Sequence, residues 1–398
     1  SVLDCINICN VFKLLKMTAK EILTKLVSFD VLSTQNNIEL VNWISTYVKS
    51  YGVDVVSIYN EDKTQASLHC RIGPEVDGGV ILSGHTDVVP VKGQPWNTDP
   101  FTLTEIDGNL YGRGACDMKG YLACFLSVLP TMIKSPLKKP IYFAISYDEE
   151  IGCLRAPELA AHIKNYYREN PKYAIIGEPS MLQPIVGQKG ILYVQTEVNG
   201  SQGHSSRIEK EVSAIHESSR LILWLESKMK ELSLTSNNDK FLPPYSTLHT
   251  GKFNGGIATN VVAAKATFEW DIRTIPEDKI ETVFLEYENY CRELEKEKQQ
   301  LFPEFKIINT PLHPPVPGLL TNEKASVVDF IGKVVATKEL GYVAYATEAG
   351  QFAEAGFESV ICGPGSIEQA HRANEFVSVE QLNLCVKMIE NIVEELSK

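Results

Sequence analysis

The sequence places acidic side chains directly after an apolar segment. Residues 147–152, Tyr-Asp-Glu-Glu-Ile-Gly, follow the apolar run IYFAIS and put three consecutive carboxylates where a strand should end. Crowded carboxylates at the rim of a core lose hydration and repel one another, so this arrangement costs free energy. A solvent-exposed loop would avoid that cost, and it is the simpler interpretation of an isolated Asp-Glu-Glu. The rest of the chain decides between a loop and a functional site.

Imidazole and carboxylate side chains recur at the predicted ends of other elements. The full set is His85, Asp87, Asp117, Glu149, Glu150, Glu178 and His371. In an open α/β sheet, the loops at the carboxyl ends of the strands lie together, which would bring these side chains to one place. Imidazole nitrogens and carboxylate oxygens are ligands of zinc and related divalent metals. The set therefore predicts a metal site at that edge of the sheet.

Each of these residues also has an ordinary structural interpretation. His85 could be a hydrogen-bonded polar residue, and Asp117 could cap the helix that follows it. Glu178 could lie in a loop, and His371 could lie on the surface. The joint arrangement favours the metal site, because all of these residues fall at the ends of elements, where no core packing requires them.

The apolar runs predict a mostly parallel sheet. The runs GGVILSGH, IYFAIS and KYAIIGEP are continuous, as is typical of strands buried on both faces. Helical segments separate them, such as the one after Asp117, in which Leu122, Phe125, Leu126 and Leu129 recur at helical spacing. This pattern indicates the α/β class, with helices on both faces of the sheet.

A second domain is predicted from about residue 187. Its order of elements, strand-helix-strand-strand-helix-strand, is that of a ferredoxin-like α+β unit, with helices expected at 211–232 and 277–300. In AAKATFEWDIRTIP, apolar and polar residues alternate, which places Arg273 on the polar face of a strand. The Pro-rich stretch PLHPPVPG predicts a return linker. The predicted parts are an N-terminal extension at 1–16, a main α/β domain with the candidate metal site at 17–186 and 311–398, and the inserted domain at 187–310.

The composition argues against several classes of protein. The chain has 398 residues and a formal net charge of −12, which disfavours a nucleic-acid or anionic-membrane partner. It has no apolar run of about 18 residues that could span a membrane. Its nine cysteines, without a CxxC pair, indicate reduced thiols in the cytoplasm. A dinucleotide site at Gly112 and Gly114 is disfavoured, because Asp117 stands where the third glycine is needed.

The motifs resemble those of a known enzyme family. The segments SGHTDVVPV, GRGACDMKG, YDEEIG, IIGEPS, GHSS and QAHRANEF look like the successive motifs of the M20-type dizinc amidohydrolases. That family includes acetylornithine deacetylase, succinyl-diaminopimelate desuccinylase, aminoacylase and carboxypeptidase G. The segments TEAGQFAEAG and CGPGSIEQAH most resemble the acetylornithine deacetylases. The resemblance runs in order from about residue 20 to the end of the chain.

The resemblance implies two divalent metal ions, zinc in the first place, with cobalt able to substitute. His85 and Glu178 would bind one ion, and Glu150 and His371 would bind the other. Asp117 would bridge the two ions. Their positive charge would offset the carboxylates and a bridging hydroxide, which a low-dielectric cleft requires.

The resemblance also implies the residues that act on the substrate. Asp87 would hold the imidazole of the metal ligand two residues before it. Glu149 would be the general base on the metal-bridging hydroxide, and His204 would stabilise the oxyanion in the partner subunit's active site. Asn260 and Arg273 would hold the substrate, and the planar guanidinium suits a free carboxylate.

The expected protein is a homodimeric, cytoplasmic zinc amidohydrolase whose inserted domain acts as lid and dimerisation domain. Its first expected reaction is hydrolysis of N2-acetyl-L-ornithine to L-ornithine and acetate in arginine biosynthesis. The alternative substrates are N-acetylcitrulline, N-succinyl-diaminopimelate and a broad range of N-acyl amino acids. An inactive metal-binding subunit is the non-enzymatic alternative, which the presence of both ligand sets and of Glu149 disfavours.

Overall fold

A computed structural model describes residues 16–398 of the chain, and these divide into two units. Unit 1 contains the described residues up to Val186, together with Thr321–Gly341 and Gln351–Lys398. Unit 2 contains Gly187–Leu320 and Tyr342–Gly350. The predicted N-terminal extension, residues 1–16, lies outside the described residues except for Lys16.

The described residues contain sixteen strands and nine α-helices. The strands are β1 (Val55–Tyr59), β2 (Ala66–Ile72), β3 (Val80–His85), β4 (Thr104–Ile106), β5 (Asn109–Tyr111), β6 (Ile141–Ser146), β7 (Tyr173–Pro179), β8 (Ile185–Gln188), β9 (Gly190–Asn199), β10 (Thr247–Gly255), β11 (Lys265–Thr274), β12 (Lys306–Pro311), β13 (Leu319–Leu320), β14 (Gly341–Val343), β15 (Glu358–Gly363) and β16 (Phe376–Ser378). The α-helices are α1 (Ala19–Val27), α2 (Ile38–Lys49), α3 (Lys119–Lys134), α4 (Ala156–Tyr166), α5 (Ala214–Thr235), α6 (Ile280–Lys298), α7 (Ser326–Val334), α8 (Ala349–Glu354) and α9 (Val379–Leu396). Among residues 16–398, no helix combines the length and the apolar character that a membrane span needs.

The main sheet of unit 1 is parallel at its centre. Its strand order is β1-β2-β6-β3-β7-β15-β8. The four central strands β6, β3, β7 and β15 run parallel to one another, whereas β1, β2 and β8 pair in antiparallel fashion at the two edges. The three apolar runs form β3, β6 and β7, and all but the first residue of β7 are buried. The predicted α/β class is confirmed, and the antiparallel edges are an addition to it.

Helix α3 packs at the centre of unit 1. It contacts β3 and β7 of the sheet and the helices α1 and α9. Its first twelve residues, Lys119–Pro130, are all buried, which is the expected state of a helix that is apolar all round. The predicted apolar positions, including Leu122 and Phe125, are 0% exposed. The buried helix holds the segment before it, which contains Asp117, against the carboxyl ends of the strands.

Unit 2 has the predicted order of elements. Its four-stranded antiparallel sheet has the order β10-β11-β9-β12, and α5 and α6 connect β9 to β10 and β11 to β12. This is the split βαβ arrangement of a ferredoxin-like unit. The apolar residues of β11, including Phe268 and Trp270, are buried with those of both helices in one core. Arg273 points to the other face of the strand, as the alternation predicts.

The units differ from the predicted domains where the chain leaves unit 2. The Pro-rich segment belongs to unit 2 because it continues to pair with β9. Val316 exchanges two main-chain hydrogen bonds of 2.9 Å with Ile191, and the imidazole of His313 accepts the N–H of Tyr193 at 3.1 Å. The segment Tyr342–Gly350 also belongs to unit 2, which no local pattern indicated.

Candidate metal centre

The predicted site residues of unit 1 come together at the carboxyl ends of its parallel strands. His85 is the last residue of β3, and Glu178 lies one residue before the end of β7. Glu149 and Glu150 follow β6, and Asp117 lies two residues before α3. The topology therefore converts positions that are far apart in the chain into neighbours.

The imidazole of His85 faces oxygen atoms on both sides. Its Nε2 lies 3.1 Å from Asp117 Oδ1, 3.6 Å from Glu178 Oε1 and 3.8 Å from Glu149 Oε2. Its Nδ1 lies 2.9 Å from the main-chain oxygen of Asp87, to which it donates a hydrogen bond. This bond leaves Nε2, which faces the carboxylates, as the nitrogen that can bind a metal.

His371 closes the other side of the cluster. Its Nε2 lies 2.8 Å from Glu150 Oε2 and 3.5 Å from Asp117 Oδ2. The two oxygens of Asp117 therefore face different histidines, Oδ1 facing His85 and Oδ2 facing His371. A carboxylate in this position can serve two metal ions at once. The side chain of His371 is 58% exposed, so the cluster opens to solvent on this side.

Burial makes the negative charge of this cluster costly. Desolvation, together with the charge of Asp117, raises the pKa of Glu150 to about 7 and the pKa of Glu178 well above its usual range. Hydrogen bonds to Asp117 and Glu150 raise the pKa of His371 to about 11. Burial opposes ionisation of Asp117 as well, but hydrogen bonds from the two histidines outweigh it and lower the pKa of this carboxyl. The cluster thus requires positive charge or protons to remain buried.

The donor set fits divalent metal ions. Two groups of three side chains have ligand atoms within 4.8 Å of one another, namely His85, Asp117 and Glu150, and His85, Glu149 and Glu178. Imidazole nitrogen and carboxylate oxygen suit zinc and neighbouring metals. Such cations would supply the charge that the buried carboxylates need, in place of protons.

Asp87 joins His85 to the acidic loop. Its carboxylate accepts the main-chain N–H groups of Glu149 at 3.1 Å and Glu150 at 3.2 Å, and the hydroxyl of Ser33 at 2.6 Å. Burial opposes ionisation of Asp87, but the hydrogen bonds and charge of His85, with the other donors, outweigh it and lower the pKa. Its Oδ1 also lies 3.4 Å from Nδ1 of His85, whose shorter bond goes to the main-chain oxygen of the same residue. One buried anion therefore lies beside the imidazole and also fixes the backbone of two acidic residues.

Asp148 anchors the start of the acidic loop, a role that no sequence pattern indicated. Its Oδ1 accepts the main-chain N–H of Thr34 at 2.6 Å and the amide of Gln65 at 2.9 Å. The residue is 4% exposed and has a φ of 56°. The three consecutive acidic residues therefore have different surroundings: the first fixes the loop, and the other two face the histidines.

Two further contacts near the cluster were not predicted. The thiol of Cys153 donates a hydrogen bond to Glu149 Oε1 at 3.3 Å. The buried carboxylate of Glu375 accepts the main-chain N–H of Asp117 at 3.0 Å. The QAHRANEF motif contained Glu375, but neither contact has a signal in the local sequence, because both partners are brought together by the fold.

The other predicted site residues belong to unit 2, where His204 and Asn260 are neighbours. Ser205 donates its main-chain N–H to the main-chain oxygen of Asn260 at 3.1 Å. His204 and Asn260 are both exposed. The Nδ1 of His204 accepts the N–H of Ser206 at 3.2 Å. In a neutral imidazole the proton is then on Nε2, which can donate to an oxygen of a ligand.

Arg273 lies at the other end of the sheet of unit 2. Its Nη2 donates to the hydroxyl of Tyr193 at 3.3 Å. Lys265, at the end of β11 nearer to His204, is paired with Asn199 at the end of β9. From Lys265 to Arg273 the strand advances by about 26 Å, since each residue of a strand adds about 3.3 Å. The structure thus separates Arg273 from His204 and Asn260 within one chain.

Comparisons with known proteins give relatives along nearly the whole chain. Residues 81–395 match peptidase family M20/M25/M40. The acetylornithine deacetylase of Proteus mirabilis (strain HI4320) is 33% identical over 366 residues, covering 92% of this chain and 92% of that protein. The acetylornithine deacetylase of Aliivibrio salmonicida (strain LFI1238) is 30% identical over 380 residues, covering 94% and 97%.

Solved structures of M20 proteins share the fold. An M20 family metallo-carboxypeptidase from Sulfolobus solfataricus has a TM-score of 0.76 at 19% identity, covering 95% of this chain and 99% of that chain. A tripeptidase from Staphylococcus aureus subsp. aureus Mu50 has a TM-score of 0.75 at 22% identity, with coverages of 96% and 99%. A dinuclear metal binding peptidase of the M20 family from Bacillus subtilis has a TM-score of 0.61 at 13% identity, with coverages of 94% and 96%.

Replacing Asp87 by Ala should weaken zinc binding by about 10- to 100-fold, since partners that orient metal ligands contribute that much. The variant loses the acceptor for the N–H groups of Glu149 and Glu150 and leaves His85 less well oriented. Titration of metal-free protein against a competing chelator measures the affinity. Asp54→Ala, which removes an exposed carboxylate from the same unit, is the control. Equal affinities in the two variants would refute this role of Asp87.

Proposed function

Since this chain belongs to peptidase family M20/M25/M40, we propose that it is a metal-dependent amidohydrolase whose substrate is N2-acetyl-L-ornithine. The products would be L-ornithine and acetate, as a step of arginine biosynthesis. The observation that carries the hydrolase assignment is the position of Asp117, whose two oxygens face His85 and His371. The substrate assignment is supported by the acetylornithine deacetylases that are 30% and 33% identical to this chain.

The proposed metal ligands are the five residues that meet at the ends of the strands. His85 and Glu178 would hold one divalent ion, Glu150 and His371 would hold the second, and Asp117 would contact both. When bound, such ions supply Lewis acidity, which polarises an amide carbonyl and makes water more acidic. Zinc matches the nitrogen and oxygen donors, and cobalt accepts the same ligand types.

The position of Glu149 supports a role as general base. Its Oε2 lies 3.8 Å from Nε2 of His85, beside the proposed ligands, and its backbone is held by Asp87. In this role the carboxylate takes a proton from the attacking water and delivers it to the departing amine. The thiol of Cys153 binds the other oxygen, Oε1, and so favours the orientation in which Oε2 faces the cluster.

Arg273 supports a substrate with a free carboxylate. Its Nε lies 3.7 Å from Asp271 Oδ1, on the same face of the strand. Its Nη1 and Nη2 contact the main-chain oxygen of Ala344 at 3.4 Å and the hydroxyl of Tyr193 at 3.3 Å, and both contacts are long for hydrogen bonds. A carboxylate would form shorter, charge-assisted bonds with the same guanidinium. An N-acyl amino acid offers that group, whereas an internal peptide bond does not.

The layout of unit 2 supports a homodimer. His204 and Asn260 lie at the opposite end of the sheet from Arg273, too far away for one small substrate to contact all three in one chain. We therefore assign His204 and Asn260 to the site of a partner chain, where the Nε2–H of His204 would stabilise the oxyanion. The edge strand β10 is mostly exposed; its Phe253 is 40% exposed, and Ile257, which follows the strand, is 80% exposed. An open strand edge with apolar residues is suited to pairing with a second copy.

The cysteines support a cytoplasmic location. The seven cysteines among the described residues are all buried and form no disulfide. Chains with several unpaired cysteines are typical of reducing compartments. Small N-acyl amino acids of biosynthesis would be available in the same place.

A kinetic comparison tests the proposed substrate. Zinc- and cobalt-loaded protein is assayed with N2-acetyl-L-ornithine, N-acetylcitrulline, N-acetylmethionine and N-succinyl-diaminopimelate. We expect the highest kcat/KM for N2-acetyl-L-ornithine, because the relatives of known activity act on it. A higher kcat/KM for another of these compounds would refute the substrate assignment but would still support hydrolysis of an N-acyl amino acid. Failure to hydrolyse any of them in either metal form would favour a metal-binding subunit without catalysis.

Glu149→Ala and Glu150→Ala should have different effects on metal content. The first variant should keep both metal ions and lose kcat by about 10²- to 10⁴-fold, the usual contribution of a general base. Glu150→Ala should lose metal, because it removes a proposed ligand whose Oε2 lies 2.8 Å from Nε2 of His371. Metal analysis of the purified proteins, together with steady-state kinetics, measures both quantities. Loss of metal from Glu149→Ala would instead identify Glu149 as a metal ligand. Its position is compatible with that role, because ligand atoms of Glu149, His85 and Glu178 lie within 4.8 Å of one another.

Mixed dimers test whether His204 acts in the partner's site. Chains carrying His204→Ala and chains carrying Glu149→Ala are co-expressed with different tags. If His204 acts across the dimer, one of the two sites of a mixed dimer is intact, so an equal mixture regains about a quarter of wild-type activity. If His204 acts within its own chain, no site is intact and the mixture stays as inactive as either variant alone. Each variant co-expressed with itself is the control.

A further inference from the structure

We infer that Glu375 is a positioning residue that holds the backbone of Asp117 and links it to His371. The inference depends on the metal site proposed above, in which these two residues are ligands. Glu375 lies four residues after His371 and directly before β16, and it is 1% exposed. It contacts neither His85 nor Glu178 by any hydrogen bond among the described residues, so it acts on the site through the backbone.

The carboxylate of Glu375 organises the turn before α3. Its Oε1 accepts the main-chain N–H groups of Cys116 at 2.9 Å and Asp117 at 3.0 Å, and its Oε2 accepts the N–H of Gly114 at 3.0 Å. The main-chain oxygen of Glu375 also accepts the N–H of Gly112 at 3.0 Å. The turn that carries Asp117 thus directs three of its main-chain N–H groups at one buried carboxylate.

A buried arginine connects the same carboxylate to the loop of His371. Arg113, which is 1% exposed, donates from Nη1 to Glu375 Oε2 at 2.9 Å and to the main-chain oxygen of Arg372 at 3.1 Å. Its Nη2 donates to Gln94 Oε1. The amide of Gln94 in turn donates to the main-chain oxygen of His371 at 2.8 Å. The two ligand loops therefore share one network of hydrogen bonds.

The network requires a carboxylate and not merely a polar group of that size. Four N–H donors, three from the main chain and one from Arg113, converge on the two oxygens of Glu375. Glutamine would offer one oxygen and would turn an NH₂ group towards the remaining donors. The charge of Arg113 would also lose its buried partner, which is strongly unfavourable. Glu375→Gln therefore tests the network with almost no change of volume.

The test measures metal binding and local exchange rather than activity alone. Metal-free wild type and Glu375→Gln are titrated with Co²⁺, and the visible absorption of bound cobalt reports each equivalent. Amide hydrogen exchange of the segment 113–118 is measured in parallel. We expect binding of at least one Co²⁺ equivalent to be weakened about 10- to 100-fold, with faster exchange in 113–118 and unchanged exchange in β7. Glu380→Gln, which changes an exposed glutamate in α9, is the matched control and should behave as wild type.

Different outcomes separate this inference from the proposed function. Wild-type cobalt affinity with unchanged exchange in 113–118 would overturn the inference, and so would faster exchange throughout unit 1, which would indicate a general packing role. Absence of cobalt binding in the wild type would refute the metal site, while the exchange data would still test the contact with the turn. If Glu375→Gln does not fold, Arg113→Lys replaces it. That variant keeps a charge beside Glu375 but loses the bonds to Arg372 and Gln94, and should weaken cobalt binding by a similar factor.

Discussion

The mutual repulsion of buried carboxylates is the constraint that shapes unit 1. At about 4 Å, two like charges repel by about 4 kcal/mol when the effective dielectric constant is near 20. A few such pairs are comparable with the whole stability of a typical domain, about 5–15 kcal/mol. Asp117, Glu150 and Glu178 lie in such a cluster, and burial already raises the pKa of the last two. The strands can hold these side chains together only if cations or protons accompany them.

Unit 1 contains two kinds of buried carboxylate, which differ in the groups that face their charge. One kind faces the histidines and depends on an external cation. The other kind, represented by Asp87, Asp148 and Glu375, accepts main-chain N–H groups, which favour its ionised form. These bonds lower the pKa of Asp87 despite its burial, whereas at Asp148 and Glu375 they offset only part of the rise in pKa that burial causes. These three anions fix the loops on which the first kind is carried. The site is thus organised by hydrogen bonds that do not require a metal, and this favours a preformed geometry.

The geometry of unit 2 constrains the chemistry in a different way. Its sheet separates Arg273 from His204 and Asn260 by the length of a strand. The proposed reaction needs a group that holds the carboxylate and a group that stabilises the oxyanion, and a small substrate brings both within a few ångströms. A second copy of the chain reconciles these two requirements, and the exposed edge of β10 offers a surface for it. In this proposal, the oligomeric state is part of the active site.

The sequence by itself determined the buried strands, the central helix and the residue types at the strand ends. These depend on local patterns: continuous apolar runs predicted β3, β6 and β7, and the histidines and carboxylates that follow them predicted a metal centre. Only the tertiary structure decided which partners these residues have. Asp148 meets Gln65, and Glu375 meets Asp117, across 83 and 258 residues of chain, respectively. No local pattern records such contacts, because a hydrogen bond between distant residues depends on how the strands and loops are brought together in space.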